Sequence, residues 1–508
     1  MTTLRVLLLS LIAMLCADGA RAATRTIVLN GDAMTIEDIV DIAAGEATVE
    51  LSSGGRKRIA AARAVVDHYI DAGLPAYGIT TMYGADFQTT LPPEEMRRFG
   101  RINIVQEATR VGGGLLPLVD KGTMRAAWAL LVNSYARGYS GASLALADAL
   151  LARVNSGAVP DDVEYGNSMG DADLTSNAQA ALSLLADPTF ELKAGEATNL
   201  LTHNFIGVAY AAQIVHRAEL LLRSQEMALA LTIEGFRANL NPLLDTGSRS
   251  DPAHAAVLSD LRALLDGSRL WAKDGPRQLQ DFLSLRDAAH ALAILRLTLD
   301  QFTPVLLAFA NSNHGSPVVL VASGELVSVP DYDTSQVTLG LDALRQAIGL
   351  VAIASNSRTL KMVSFPFIDL PSGLTGGDPG AFDGIYTRNI TYIMTSLERA
   401  ALQETEPVLL LTSSYMAEGD EDYSPDFPNS VMHGQRLLAL VERMTALEAL
   451  VGAVAVERRL RSGEMADDDV PAALRVVRQG LVARSPLSIA VDQRYNLEPL
   501  TDFYRAQF

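Results

Sequence analysis

The sequence predicts a mainly α-helical protein: an extended bundle of long helices, with small β elements in its N-terminal part and one β-hairpin. Three observations carry that expectation. Alanine and leucine abound while aromatic residues make up only 6% of the 508 residues, a composition that favours helix. Apolar residues recur at helical spacing through most of the second half of the chain. Several of those segments exceed twenty residues, and helices that long bury one another better than they divide among small globules. The chain is long enough for about three domains of ordinary size, but it reads as one bundle with smaller caps at its ends.

The elements follow in order. Thr26 to Asn30 and Val49 to Ser52 are short runs of branched residues that read as strands. Between them Thr35, with Asp38 three residues on, has the form of a capping box opening a helix through Ala44. Arg56 to Ala72 places Ile59, Ala62, Val66 and Ile70 on one stripe, and Gly73 is its stop. Residues 74–92 lose the period and read as a loop. Helical patterns resume at 93–110, 123–136 and 143–154, followed by an irregular stretch at 155–172. Longer helices are expected at 173–186, 194–240 with a break, 253–266, 279–311, 335–355, 380–404 and 430–461. Val318 to Ser323 and Glu325 to Val329 pivot on Ser323-Gly324 as a hairpin, and 412–429 is an acidic loop.

Composition narrows the function. Hydrophobic residues at 49% and charged residues at 20% support a large core and exclude a disordered chain. A net charge of −18 repels phosphate backbones, so no nucleic-acid partner is expected. A single cysteine excludes a disulfide scaffold and any cysteine-based zinc site.

Residues 1–22 read as a signal peptide. Arg5 supplies the positive start, Val6 to Ala17 the apolar stretch, and Ala20-Arg21-Ala22 the small residues at the cleavage site, predicted after Ala22. Its removal takes away two arginines, one aspartate and the only cysteine, leaving a net charge of −19. No second apolar run of about eighteen residues is expected. The mature product should therefore carry no membrane anchor and be periplasmic or secreted.

Generic catalytic patterns are absent: there is no phosphate-binding loop, no dinucleotide fingerprint and no H-E-x-x-H. Gly112-Gly113-Gly114 follows no strand and reads as a helix stop. Asp420, Asp422 and Asp426 miss the spacing of a calcium loop. His203, His290 and His433 lack partners at ligand spacing and read as packing histidines, so no metal site is assigned.

Five segments taken together resemble the histidine and phenylalanine ammonia-lyase family. They are Ala76 to Gly84, Asn133 with Ala136 to Gly141, Asn155 to Leu174, Gln280 to Arg286, and Gly419 to Ser424. They stand in family order over about 350 residues. The resemblance implies a mainly α-helical homotetramer whose active sites are assembled from loops of three subunits. It also divides the chain into the leader, an active-site-loop region over 23–192, and the long-helix bundle with the C-terminal region over 193–508, all one continuous lyase-like fold.

Members of that family eliminate ammonia from amino acids, or shift the amine, with a methylidene-imidazolone electrophile. It forms when an Ala-Ser-Gly tripeptide cyclises and loses two waters. Serine is needed because its hydroxyl leaves, and glycine because the backbone nitrogen must bend back. Here the tripeptide position reads Gly170-Asp171-Ala172. Aspartate has no β-hydroxyl to lose, so the electrophile is not expected and no other cofactor is implied. Ala322-Ser323-Gly324 has the right letters but lies in the hairpin, about 150 residues later.

The resemblance further implies Tyr77 as the loop base and Arg286 as the holder of a substrate carboxylate. It places Gln280 and Glu421 in the same site. Leu283 replaces a second functional tyrosine, Glu107 stands at the substrate-selecting position, and Thr202 falls where the family has asparagine, with Asn204 nearby. Clustered, Glu107, Asp171 and Glu421 would raise one another's pKa and supply a general acid. Three functions stay open. One is a lyase-type enzyme working by acid–base chemistry on a small anionic or amino-acid-like molecule, with Tyr77, Asp171 and Glu421 catalytic and Glu107, Asn204, Gln280 and Arg286 binding substrate. Another is an inactive periplasmic binding or scaffold protein that reuses the pocket. The last is a carboxylate metal site on Glu107, Asp171 and Glu421.

Overall fold

The computed structural model describes residues 25–169, 172–247, 251–364, 366–374, 383–410, 419, 421–485 and 496–508. The expected signal peptide lies outside these residues, as do Gly170, Asp171 and Asp420.

The chain opens with β1 (Arg25–Leu29), α1 (Ile36–Ala44) and β2 (Ala47–Leu51), a βαβ unit whose two strands pair in parallel, Ile27 opposite Val49. The capping box is present: the Thr35 side chain accepts from Asp38 N–H, and the Asp38 carboxylate accepts from Thr35 N–H at 3.0 Å. Next, α2 (Ser53–Ala72) is capped by Ser52 and ends at Gly73, whose φ of 62° is left-handed. Shorter helices follow: α3 (Pro93–Glu107), α4 (Lys121–Ala136), α5 (Leu144–Ser156), α6 (Leu174–Leu185) and the short α7 (Glu196–Leu201).

The bundle is built from α8 (Phe205–Phe236), α9 (Pro252–Leu264), the single turn α10 (Leu283–Arg286), α11 (Ala288–Ala310), α12 (Ser335–Met362), α13 (Asp383–Gln403) and α14 (Phe427–Ser462). The hairpin of β3 (Val318–Leu320) and β4 (Glu325–Val327) is inserted before α12. Helix α8 runs along α14, and α12 lies between α14 and α11. The backbones of α8 and α14 nearly touch: a Cβ on Gly452 would stand 2.8 Å from the carbonyl carbon of Leu231. Across this seam the buried guanidinium of Arg358 holds Glu448 through Nη2 at 3.0 Å and reaches Gln225 at 3.2 Å.

Three features depart from expectation. Residues 279–282 are not helical, because the Asp281 carboxylate accepts from Asn239 N–H at 2.6 Å and from Gln278 Nε2–H at 2.8 Å, which holds a turn. Helices α15 (Ala472–Ala483) and α16 (Glu498–Arg505) lie beyond the last predicted element. Most substantially, Glu196–Phe236, Ala288–Ala310 and Ser335–Met362 are long and apolar enough, by length and composition, to cross a membrane. The expectation of no further apolar run is thereby corrected: single polar residues interrupt these helices without lowering their mean hydropathy. In the fold, 72%, 33% and 61% of the respective apolar windows are buried.

Candidate functional site

Tyr77 sits in the loop after Gly73. Thr80 folds that loop on itself, its hydroxyl accepting from Ala76 N–H and donating to Leu74 O, both at 2.7 Å. Gly78 adopts φ 66°, and a Cβ there would lie 2.4 Å from the Tyr83 ring, so only glycine fits. The Tyr77 hydroxyl accepts from Gly84 N–H at 3.1 Å, and its ring meets Tyr83 edge-on at 5.9 Å. Thr198 of α7 ties the loop down, donating to Gly78 O at 2.9 Å and pairing with the Tyr83 hydroxyl at 3.0 Å. Burial pushes the Tyr83 hydroxyl up to about 12, with Tyr77 and Glu107 adding to the rise. Burial likewise raises Glu107, at the end of α3. Tyr77, Tyr83 and Glu107 therefore form one neighbourhood.

Met169 and Asp173, which flank the Gly170-Asp171-Ala172 segment in sequence, are each held by hydrogen bonds. Before it, the Met169 carbonyl accepts from Asp426 N–H at 2.9 Å and from the Ser424 hydroxyl. These bonds bring the acidic loop, with half-buried Glu421, alongside. After it, Asp173 N–H donates to His203 O at 2.9 Å, and the Asp173 carboxylate accepts from Gly207 N–H at 3.1 Å in the first turn of α8. Asp173 is wholly buried, and burial raises its carboxyl to about 7 despite the helix N–H groups that hold it down.

Asn204, also wholly buried, caps this end of α8. Its N–H donates to His314 Nδ1 at 3.3 Å and its Nδ2 to Tyr332 O at 2.8 Å. His314 lies between the rings of Phe205 and Phe309, with centroids 4.1 and 4.0 Å away. Burial lowers its pKa to about 4, so the ring is neutral at pH 7, with Nε2–H donating to Phe309 O at 2.8 Å. Thr202 donates back to Thr198 O at 2.7 Å, whereas Asn204 keeps its Oδ1 without a hydrogen-bond partner among the described residues. Among the described residues, Tyr165 OH, Asn167 Nδ2, Asp173 Oδ1 and Asn204 Oδ1 are buried without a hydrogen-bond partner. Such atoms cost free energy unless something polar meets them.

The other predicted residues lie elsewhere. Gln280 is exposed, and Arg286 ends α10; its guanidinium has no ion pair among the described residues. Neighbouring Phe282 packs on Phe236 at 6.0 Å, at the C-terminal end of α8. Asp173 bonds Gly207 at the opposite end, and at 1.5 Å per residue the two ends are roughly 40 Å apart. Within one chain Tyr77, Glu107, Asn204 and Glu421 thus lie toward the N-terminal end of α8, through Thr198 of α7 and the Met169–Asp426 contact, and Gln280 and Arg286 lie toward the far end. The convergence of the carboxylates with Arg286 does not occur inside a single protomer. Among described residues, no group of three or more metal-binding side chains is present. Sequence reasoning missed Asp173, Tyr83 and Thr198. Asp173 stands where an N-cap is expected, yet its carboxylate serves the start of another helix.

The fold is that of a known family. The model of the aromatic amino acid lyases matches residues 34–479, and the chain belongs to that family. It is 28% identical over 467 residues to a histidine ammonia-lyase of Anaeromyxobacter dehalogenans, covering 85% of this chain and 90% of the relative. It is 25% identical over 458 residues to that of Caldanaerobacter subterraneus subsp. tengcongensis, covering 86% and 89%. Among solved structures, the ergothioneine-degrading ergothionase of Treponema denticola superposes with a TM-score of 0.84 at 18% identity, over 95% of this chain and 99% of that one. Histidine ammonia-lyase from Trypanosoma cruzi gives 0.79 at 21% identity, over 95% and 93%. The fold is therefore the mainly helical ammonia-lyase fold, and family membership supports a lyase-type function. Family members form methylidene-imidazolone from their own chain. Gly170-Asp171-Ala172, between the clamped Met169 and Asp173, does not fit that group, since Asp171 offers a carboxylate where a leaving hydroxyl is required.

Proposed function

We propose that this chain is an exported, homotetrameric lyase-type enzyme that acts on a small amino-acid-like carboxylate by acid–base chemistry, without methylidene-imidazolone. The observation that carries the reading is the set of proton-transfer groups toward the N-terminal end of α8, with Asp173 directly following the altered tripeptide in sequence. Tyr77 and Glu107 share one neighbourhood, Glu421 lies on the adjoining loop, and Asp173 is a buried carboxyl raised to about 7. A carboxyl with that pKa can both give and take a proton near neutrality. Arg286, without an ion pair among the described residues, would bind the substrate carboxylate bidentately in the site of another subunit. Tyr77, with its hydroxyl fixed by Gly84 N–H, would take a proton from the substrate, and Glu421 or Asp171 would deliver one to the departing group.

The test begins with the intact mass of the purified protein and fragment masses over 160–180. Unmodified Gly170-Asp171-Ala172 is expected. Loss of two waters there would overturn the reading and restore the family's electrophile; loss at Ala322-Ser323-Gly324 would move the active site. Candidate amino acids and their N-substituted derivatives would then be screened for amine release. Tyr77→Phe should abolish any turnover found, and an unchanged rate would sink the mechanism.

One observation favours a second reading, an inactive binding protein. Leu283, where the family's second tyrosine would stand, is 63% exposed and offers no acid or base. Ligand-induced thermal stabilisation without product, lost in Arg286→Ala, would identify that case.

A further inference from the structure

A second concave site lies outside the lyase pocket. The turn after α4 and the strand β3 wall a surface cleft of about 450 Å³, within the size range of small-molecule sites. Arg137 and Asp331 both line it, together with the apolar Tyr139, Val318 and Leu320 and the polar Ser312 and Asn313. Arg137 is fixed in place: its Nη1 donates to Gly31 O at 2.9 Å and to Asn311 O at 2.6 Å. Those acceptors are neutral, and among the described residues the guanidinium has no carboxylate partner. Asp331 likewise has no ion pair or hydrogen bond among them. Two opposite charges thus face one cleft without neutralising each other. Tyr139 and Leu320 remain 41% and 37% exposed.

We propose that this cleft is a second binding site, for a zwitterionic α-amino acid with an apolar side chain. The immobilised guanidinium would take the carboxylate, Asp331 the ammonium group, and Tyr139 with Leu320 the side chain. A single ion would satisfy only one of the two charges, and a neutral molecule neither. The segments that wall the cleft also hold Asn204: Tyr332, next to Asp331, accepts from its Nδ2, and His314, next to Asn313, accepts from its N–H. An occupant of the cleft therefore bears on the end of α8 where the lyase pocket lies, while the site itself stands apart from whether that pocket turns over.

The experiment is isothermal titration of the purified full chain with L-leucine, N-acetyl-L-leucine and L-leucinamide. L-leucine is expected to bind, and each derivative, lacking one charge, to bind about tenfold more weakly or worse. Asp331→Asn should weaken L-leucine binding to a similar extent; its exposed side chain makes no hydrogen bond or ion pair among the described residues. Arg137→Gln should do the same, with circular dichroism checking that the turn it anchors survives. Arg286→Gln should leave intact the part of the binding that Asp331→Asn removes. The proposal is overturned if folded protein binds no L-leucine, if Asp331→Asn leaves its affinity intact, or if the derivatives bind as well. Loss of binding in Arg286→Gln but not in Asp331→Asn would place the amino acid in the lyase pocket instead.

Discussion

Replacing Asp173 with Asn probes the buried carboxyl beside the tripeptide. The carboxyl rises from an ordinary 3.8 to about 7 because it is wholly buried, while the N–H groups at the start of α8 only partly oppose the rise. The unfolded chain therefore releases this proton near pH 4 and the folded chain near pH 7. Between those values the folded state holds more protons than the unfolded one, so stability is fully present below the lower value and falls as pH rises. At about 1.4 kcal/mol per unit, this one group should cost wild type about 2.5 kcal/mol between about pH 5 and pH 8. Asn keeps a carbonyl oxygen for Gly207 N–H and does not titrate. Denaturant unfolding of both proteins across that range should show the difference in stability moving in favour of the variant by about that amount. A difference that stays constant with pH would mean that Asp173 ionises like an exposed carboxylate, and its capacity to exchange a proton near neutrality would fail with it.

Two further predictions concern the seam between α8 and α14. Gly452→Ala gains about 1 kcal/mol of helix propensity, but its methyl would press on the Leu231–Thr232 backbone at 2.8 Å. Backbone cannot swing aside as a side chain can, so overpacking by about 3 kcal/mol should win; an unchanged or higher denaturation midpoint would refute this. Arg358→Met strands Glu448, which is 1% exposed, and should cost about 3–5 kcal/mol by chemical denaturation, much of it recovered in Arg358→Met/Glu448→Met. A single variant as stable as the double would show that the ion pair is not what balances the buried charge.

Much of the fold could be read from local chemistry. Thr35 with Asp38, Gly73 and the hairpin at Ser323-Gly324 are signals whose cause lies within a few residues, and each marks its element. The break expected in 194–240 falls at Thr202–Asn204, where the chain turns from α7 into α8. What escaped depends on distant partners. Residues 279–282 carry helical spacing, but Asp281 is claimed by Asn239, forty-two residues away in sequence. Helix α12 continues past residue 355 because Arg358, polar in any periodicity count, is matched by Glu448 in the core. The site divides in the same way. Tyr77 and Glu421 could be proposed because each stands inside a contiguous family motif, and Glu107 and Asn204 only by their position relative to those motifs. Asp173 was not, because its meaning comes from Gly207 across a tertiary contact. The transmembrane-like helices were overlooked because mean hydropathy, unlike an unbroken apolar run, tolerates scattered polar residues.

The span of α8 has a genetic consequence. It holds the Tyr77 neighbourhood and Arg286 at opposite ends of one protomer, so a working site in the proposed tetramer draws them from different copies. A Tyr77→Phe chain and an Arg286→Gln chain would each be dead alone. Co-assembled, they would form some sites in which both residues are intact, and part of the activity would return. Two defective alleles could then complement each other, whereas two alleles damaged at the same end of the helix could not.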